Sequence, residues 1–238
     1  MNINLVYEDD FLKISFLDES NSSRCLVAFN GIGHSVGAID IQREEFFSHH
    51  KLGMVVWITD KKRSWGNNLN LEKVYDTIKN LIKDREVFII GNSMGGFLAI
   101  LFSSILNAKK VLSIVPQFSV SPNIVPSEKR WMKYRKKIKS FVYEDLTAYF
   151  NKDIDYAILL GGGDLEEIHY QKFMDISYKP NVSLYKLLDA EHNVARYLKE
   201  LKILNECVDI FFGGGLLSEF FNQNSIKLFE PSQKGELK

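Results

Sequence analysis

Ser93 lies in Gly91-Asn92-Ser93-Met94-Gly95, a segment of the form G-x-S-x-G. It follows an apolar run at 87–91 (VFIIG) and precedes an almost continuous apolar stretch at 95–106. That context predicts a strand, a sharp reversal and a buried helix, with the serine held at the reversal. Only small neighbours leave room for so tight a turn, and glycines stand two residues before and two after the serine. The start of the helix presents backbone N–H groups that the helix itself does not use, together with the positive end of its dipole. The Met94 N–H is therefore placed to bind the oxyanion of an acyl intermediate.

A serine hydroxyl needs a base to act as a nucleophile. The chain has five histidines, at 34, 49, 50, 169 and 192. His192 sits in Asp189-Ala190-Glu191-His192-Asn193, between the last strand-like run at 182–187 and a helical pattern at 194–212. The orienting acid is expected between serine and histidine, after a strand. Asp164 fits, because it follows the strand-like run 156–160 through Gly161-Gly162-Gly163. Glu166 and Glu167 compete for the role, since a displacement of two residues in a loop is not readable from sequence. Asp164 also has a plain alternative, as the cap of the helix that follows it. His49 and His50 end a short helical pattern, where positive charge suits the dipole.

These residues must be carried by particular elements. Runs at 3–7 and 11–17, separated by Glu8-Asp9-Asp10, predict a hairpin. Compact apolar runs at 25–30 (CLVAFN), 54–59 (MVVWIT), 87–91 and 111–115 suit strands buried on both faces. A short helix is expected at 41–50 and an amphipathic one at 70–83, where Leu71, Val74, Tyr75, Ile78, Leu81 and Ile82 recur at three and four residues. Strands alternating with helices predict an α/β domain with a mostly parallel central sheet and helices on both faces. Ligands on such sheets bind beyond the carboxyl ends of the strands. One insertion, about 116–153, breaks the alternation; it contains Pro116, Pro122 and Pro126 and then a basic helical segment. A single domain at 1–215 is expected, with 216–238 as a tail or one more helix.

The order Ser93, acid, His192, each at its element boundary, resembles the α/β-hydrolase superfamily over nearly all of 26–212. The elbow, Pro116-Gln117 and the basic segment are more loosely similar to hydrolase-like proteins of bacterial surface-polysaccharide clusters, some of which acetylate glycans. The first resemblance implies the α/β-hydrolase fold with a helical cap at the insertion. It implies a second oxyanion N–H from the loop Asn30-Gly31-Ile32-Gly33-His34, at Gly31 or Ile32. It further implies acyl transfer through an acyl-serine, with a serine esterase or thioesterase as the first expectation. An O-acetyltransferase acting on a surface glycan is the alternative, and a non-catalytic binding protein that keeps the fold is a third. No metal or other cofactor is implied.

The remaining chemistry-bearing residues are ambiguous. His34 is either a substrate contact or an exposed loop residue. Trp65, after Lys61-Lys62-Arg63, either stacks on a sugar ring or anchors a loop. Trp131 and Tyr134 either line a pocket or dock the cap. Lys129, Arg130, Lys133, Arg135, Lys136, Lys137 and Lys139 either steer an anionic ester substrate or form a solvated face.

Thirty basic side chains balance thirty acidic ones among 238 residues, which argues against a dedicated nucleic-acid binder. G-x-x-x-x-G-K-[ST] and G-x-G-x-x-G are both absent, so a nucleotide fold has no support. Cys25 and Cys207 lie in apolar runs and read as buried thiols, and no C-x-x-C or Cys/His cluster suggests zinc. The start, MNINLVYEDD, has no signal-peptide pattern, and no apolar stretch is long enough to span a bilayer. A soluble cytoplasmic setting is expected.

Overall fold

Strands buried on both faces need a helical layer on each side, and the apolar runs supply the material for both. The computed structural model describes residues 2–18, 22–33 and 41–229. It contains one eight-stranded sheet: β1 (Asn4–Glu8), β2 (Leu12–Leu17), β3 (Arg24–Phe29), β4 (Met54–Asp60), β5 (Glu86–Asn92), β6 (Ala108–Ile114), β7 (Asp155–Gly161) and β8 (Val182–Leu187). The spatial order is β1-β2-β4-β3-β5-β6-β7-β8. The β1–β2 hairpin is antiparallel and β2 joins β4 antiparallel; β3 to β8 are parallel.

Alternate residues of each strand feed two separate cores. Val27, Phe29, Ile89, Val111 and Ile158 face α1 (Leu71–Ile82), α2 (Met94–Leu101) and α4 (Asp164–Met174), the short α3 (Met132–Arg135) lying between the last two in sequence. Leu26, Ala28, Ile90, Leu112 and Leu159 face α5 (Val194–Glu200), α6 (Leu204–Gly213) and α7 (Leu217–Gln223). The amphipathic pattern at 70–83 forms α1, started by the Asn70 side chain accepting from the Lys73 N–H at 2.9 Å and burying Val74, Ile78 and Ile82. All eight residues of α2 are buried, as a helix without a polar face requires.

Four expectations differ in detail. The helix expected over 194–212 is two helices, with Lys202 in the left-handed region (φ 62°) between them. Its apolar stripe changes phase: the buried set Cys207, Val208, Phe211, Phe212 lies roughly 90° round the helix from Val194 and Leu198. One straight helix cannot bury both sets. The stretch 95–106 is helical only to Leu101 and ends in turns. The pattern at 41–50 gives a 3-10 helix at Phe47–Leu52 instead of an α-helix. The insertion is mostly irregular, its basic segment helical only at α3. Side-chain bonds from buried Arg135 to the carbonyls of Val120 and Glu128 hold it in place of a helical ladder. Beyond α6, α7 packs Leu217, Phe220 and Phe221 into the second core.

The topology places one crevice. From β3 the chain runs to β4 on one side, while β5 lies on the other side of β3. The loops leaving β3 and β5 therefore diverge, and ligands bind at such a switch point. Those loops carry Gly31-Ile32 and Ser93. No helix among the described residues is long and apolar enough to cross a membrane.

Candidate active site

Ser93 follows β5 with φ 56° and ψ −118°, a region that non-glycine residues rarely occupy. Such strain, of order 1–3 kcal/mol, persists only where the surroundings over-determine it. Here the Ser93 N–H donates to the Ile114 carbonyl at 2.8 Å, and its own carbonyl accepts from Phe97 at 3.1 Å. A Cβ on Gly91 would overlap the Gly95 carbonyl, and one on Gly95 would overlap that of Phe29. Both glycines are therefore required by close backbone approach.

His192 reaches Ser93 from the loop after β8, with Ser93 Oγ and His192 Nε2 3.2 Å apart. That loop lies directly on the exit of β7: a Cβ on Gly161 would overlap the Glu191 carbonyl, and one on Gly162 that of Leu188. The glycines at 161 and 162 are thus the floor on which the histidine loop rests.

The acid on His192 is Glu166, not Asp164. Glu166 Oε1 accepts from His192 Nδ1 at 2.7 Å. Asp164 is the first residue of α4 and is exposed, whereas Glu166 is 1% exposed. Two residues along a helix turn a side chain by about 200°, so the two carboxylates point in opposite directions. Asp164 instead meets the positive end of the helix dipole, and Glu167 turns to Lys186 at 2.5 Å. With its Nδ1–H committed to Glu166, the imidazole leaves Nε2 free to take the serine proton.

Glu166 also accepts from Arg130 Nη1 at 2.5 Å. Arg130 in turn donates to Glu128 Oε2 through Nη2 at 2.6 Å and Nε at 2.9 Å. Glu128 receives a further bond from His169 Nε2 at 3.0 Å. The Phe118 N–H donates to His169 Nδ1 at 3.1 Å, so the His169 proton is on Nε2. Burial alone would push both carboxyls up in pKa. The hydrogen bond from His192, and the charge and hydrogen bond of Arg130, hold Glu166 below the ordinary range. The bonds from His169 and Arg130 hold Glu128 below it as well. Burial lowers the pKa of His169, which stays neutral.

Gln117 completes the surroundings of Ser93. Its Oε1 accepts from Trp65 Nε1 at 2.9 Å, and its Nε2 donates to Ser93 Oγ at 3.3 Å. An indole N–H can only donate, so the Trp65 bond decides which end of the amide faces the serine. Because Gln117 donates to Ser93 Oγ, the serine proton is directed to His192. Trp65 is fully buried, which removes the expected stacking on a sugar ring; it orients Gln117 instead. Trp131 is half-buried in the left-handed region (φ 60°), next to Arg130 and packed on the first core.

Of the residues expected to bind an oxyanion, Met94 opens α2, so its N–H lies outside the helical ladder. The Gly31 N–H is engaged, donating to Glu45 Oε1 at 3.3 Å. Of the two expected donors this leaves Ile32, whose carbonyl accepts from Arg63 Nε at 2.8 Å. His34 lies outside the described residues. Cys25 and Cys207 are buried thiols whose pKa burial pushes up to about 12, so neither is a nucleophile at neutral pH.

Sequence reading did not find Gln117, Arg130, Glu128 or His169 as parts of the site. Gln117 had a usable signal, since it follows the strand beside β5 at its carboxyl end. Arg130 had none that set it apart from six basic neighbours.

Two outcomes follow from this geometry. Glu166→Gln should lower ester turnover roughly thousandfold, while Asp164→Asn should change it less than about twofold; steady-state kinetics of both variants checks this. Burial raises the Glu45 carboxyl to about 8. An unfolded glutamate titrates near 4.3, so the stabilisation from the protonated group is complete below that pH and lost as pH rises through about 8. Urea midpoints of the wild type should fall between pH 5 and 8, and Glu45→Gln should flatten that decline.

No family model and no curated protein matches the chain by sequence. Solved structures do match it in shape. Est1E from Butyrivibrio proteoclasticus is 16% identical, with a TM-score of 0.61 over 89% of this chain and 98% of that one. The capsule O-acetyltransferase of Neisseria meningitidis serogroup A is 14% identical, with a TM-score of 0.59 over 83% of this chain and 92% of that one. Carboxylesterase CesB from Bacillus subtilis is 10% identical, with a TM-score of 0.55 over 90% and 92%. With its mostly parallel sheet, this chain has the α/β-hydrolase fold.

Proposed function

We propose that this protein is a serine-dependent acyl-transfer enzyme acting on short-chain esters or thioesters. The observation that carries the reading is the hydrogen-bonded chain Ser93–His192–Glu166, at 3.2 and 2.7 Å, on a strained turn at the switch point of the sheet. Ser93 Oγ attacks the acyl carbonyl as its proton passes to His192 Nε2. Glu166 holds the imidazole in the tautomer that can accept it and favours the imidazolium that forms. The N–H groups of Met94 and Ile32 bind the oxyanion of the tetrahedral intermediate. That intermediate collapses to an acyl-serine, and the leaving alcohol or thiol takes the proton from His192. Water, activated by the same histidine, then attacks the acyl-serine and restores the serine.

Gln117 supports the first step, since its N–H faces Ser93 Oγ as that oxygen gives up its proton. A short acyl group is favoured because Ser93 is 7% exposed and Gln117 1% exposed, so the nucleophile sits below the surface. Hydrolysis is the first reading. Transfer to a sugar hydroxyl is the second, favoured by the likeness to the capsule O-acetyltransferase, one mutant of which has been solved in complex with CoA. An assembled serine–histidine–carboxylate chain speaks against a purely scaffolding role.

A fluorophosphonate should label the wild type at Ser93 and leave Ser93→Ala unlabelled; folded wild type that resists several such probes would overturn the reading. Across p-nitrophenyl esters, kcat/KM should fall by about tenfold or more from acetyl to octanoyl. Gln117→Leu should lower kcat about tenfold to hundredfold with KM nearly unchanged. Adding a glycan acceptor and following acetate against acetylated sugar by mass spectrometry separates hydrolysis from transfer.

A further inference from the structure

Two basic stretches, 61–63 after β4 and 129–139 in the insertion, contain lysines that the acyl-transfer chemistry does not use. The fold brings part of each to one cleft of about 400 Å³. Lys61, Lys62 and Arg63 line one side; Tyr134, Lys137 and Lys139 line the other. Its described lining contains no aspartate or glutamate. Lys61 is paired with Glu8 at 2.7 Å and Arg63 is committed to the carbonyls of Ile32 and Lys61, so the charge offered to a ligand is that of Lys62, Lys137 and Lys139.

The cleft is built, not incidental. The buried Asp60 carboxylate accepts from the N–H groups of Lys62 (3.1 Å), Ser64 (2.8 Å) and Gly66 (3.1 Å), which folds the 61–66 loop around it. Arg63 lies in the left-handed region (φ 54°), its guanidinium 5.1 Å from the centre of the Tyr134 ring. Lys62 lies 5.1 Å from the centre of the Phe11 ring. Cations gathered in a concave wall focus their field on its interior, where an anion loses less of the attraction to screening than on a flat surface.

The same two segments also reach the reacting groups. Arg63 holds the Ile32 carbonyl and Trp65 holds Gln117, while Arg130 holds Glu166. We infer that this cleft is a binding subsite for a substrate bearing clustered phosphate groups, with Lys62, Lys137 and Lys139 as its ligands. Its part in turnover rests on the acyl-transfer reading; its affinity for phosphate does not. The phosphates belong either to a nucleotide-type carrier of the acyl group or to a phosphorylated sugar acceptor.

Isothermal titration of the Ser93→Ala protein with inorganic pyrophosphate tests the site apart from catalysis. Binding should weaken about tenfold or more in Lys62→Glu/Lys137→Glu/Lys139→Glu. The neutralising triple variant with Gln at the same positions should show a smaller loss in the same direction. A control of equal charge change away from the cleft, Lys109→Glu/Lys152→Glu/Lys199→Glu, should bind within about threefold of the parent. Adenosine 3′,5′-bisphosphate and glucose 1,6-bisphosphate form the two arms that identify the source, by which one the cleft variant loses. Pyrophosphate that fails to bind, or that weakens equally in cleft and control variants, overturns the subsite. Fluorophosphonate labelling of the wild type is read separately, so loss of the subsite and loss of the serine chemistry are told apart.

Discussion

A carboxylate sealed from water is tolerated only when cations and N–H groups face it, because removing an ion from solvent costs roughly several kcal/mol. Glu166 is that group in this protein. Two donors converge on its Oε1, the imidazole of His192 and the guanidinium of Arg130. One donor belongs to the loop after β8 and the other to the insertion after β6. The single buried charge therefore joins three segments that the sequence keeps far apart. Arg130 is shared in turn with Glu128, and Glu128 with His169 on the next turn of α4. The insertion is held to the site by ionic bonds with fixed geometry and not by a helical ladder.

The second constraint is steric. The Ser93 turn and the histidine loop both need backbone to pass where a Cβ would stand. Gly91 and Gly95 allow β5, α2 and the end of β3 to meet; Gly161 and Gly162 allow the histidine loop to rest on β7. These contacts bring the Ser93 turn and the histidine loop to the same end of the sheet. The hydrogen bonds then select tautomer and direction. Trp65 fixes Gln117, Gln117 directs the serine proton, and Glu166 fixes the imidazole.

The two basic stretches show how one composition serves two purposes. Arg130 and Arg135 turn inward and are consumed by buried partners. Lys137 and Lys139 stay at the cleft with the 61–63 loop. The buried Asp60 matters here as Glu166 does at the serine, since its acceptors shape the loop that carries three of the five cleft cations.

Local order decided much of this from sequence alone. An apolar strand, a G-x-S-x-G turn and an apolar helix are adjacent in the chain, so the position of Ser93 was legible without the fold. His192 was legible for a similar reason, as the histidine in the loop between the last strand and the helices. The acid was not, because Asp164, Glu166 and Glu167 share one loop-to-helix boundary. The phase of α4, set by how that helix seats on the sheet, chose among them. Trp65 read either as a platform for a sugar ring or as a loop anchor and proved buried, because its loop folds around Asp60, a contact between β4 and its own exit. Gln117 and Arg130 depended on neighbours 52 and 36 residues away in the chain. Periodicity records which side of an element faces inward. It does not record which buried partner waits there, and that was decided only when the strands and the insertion closed together.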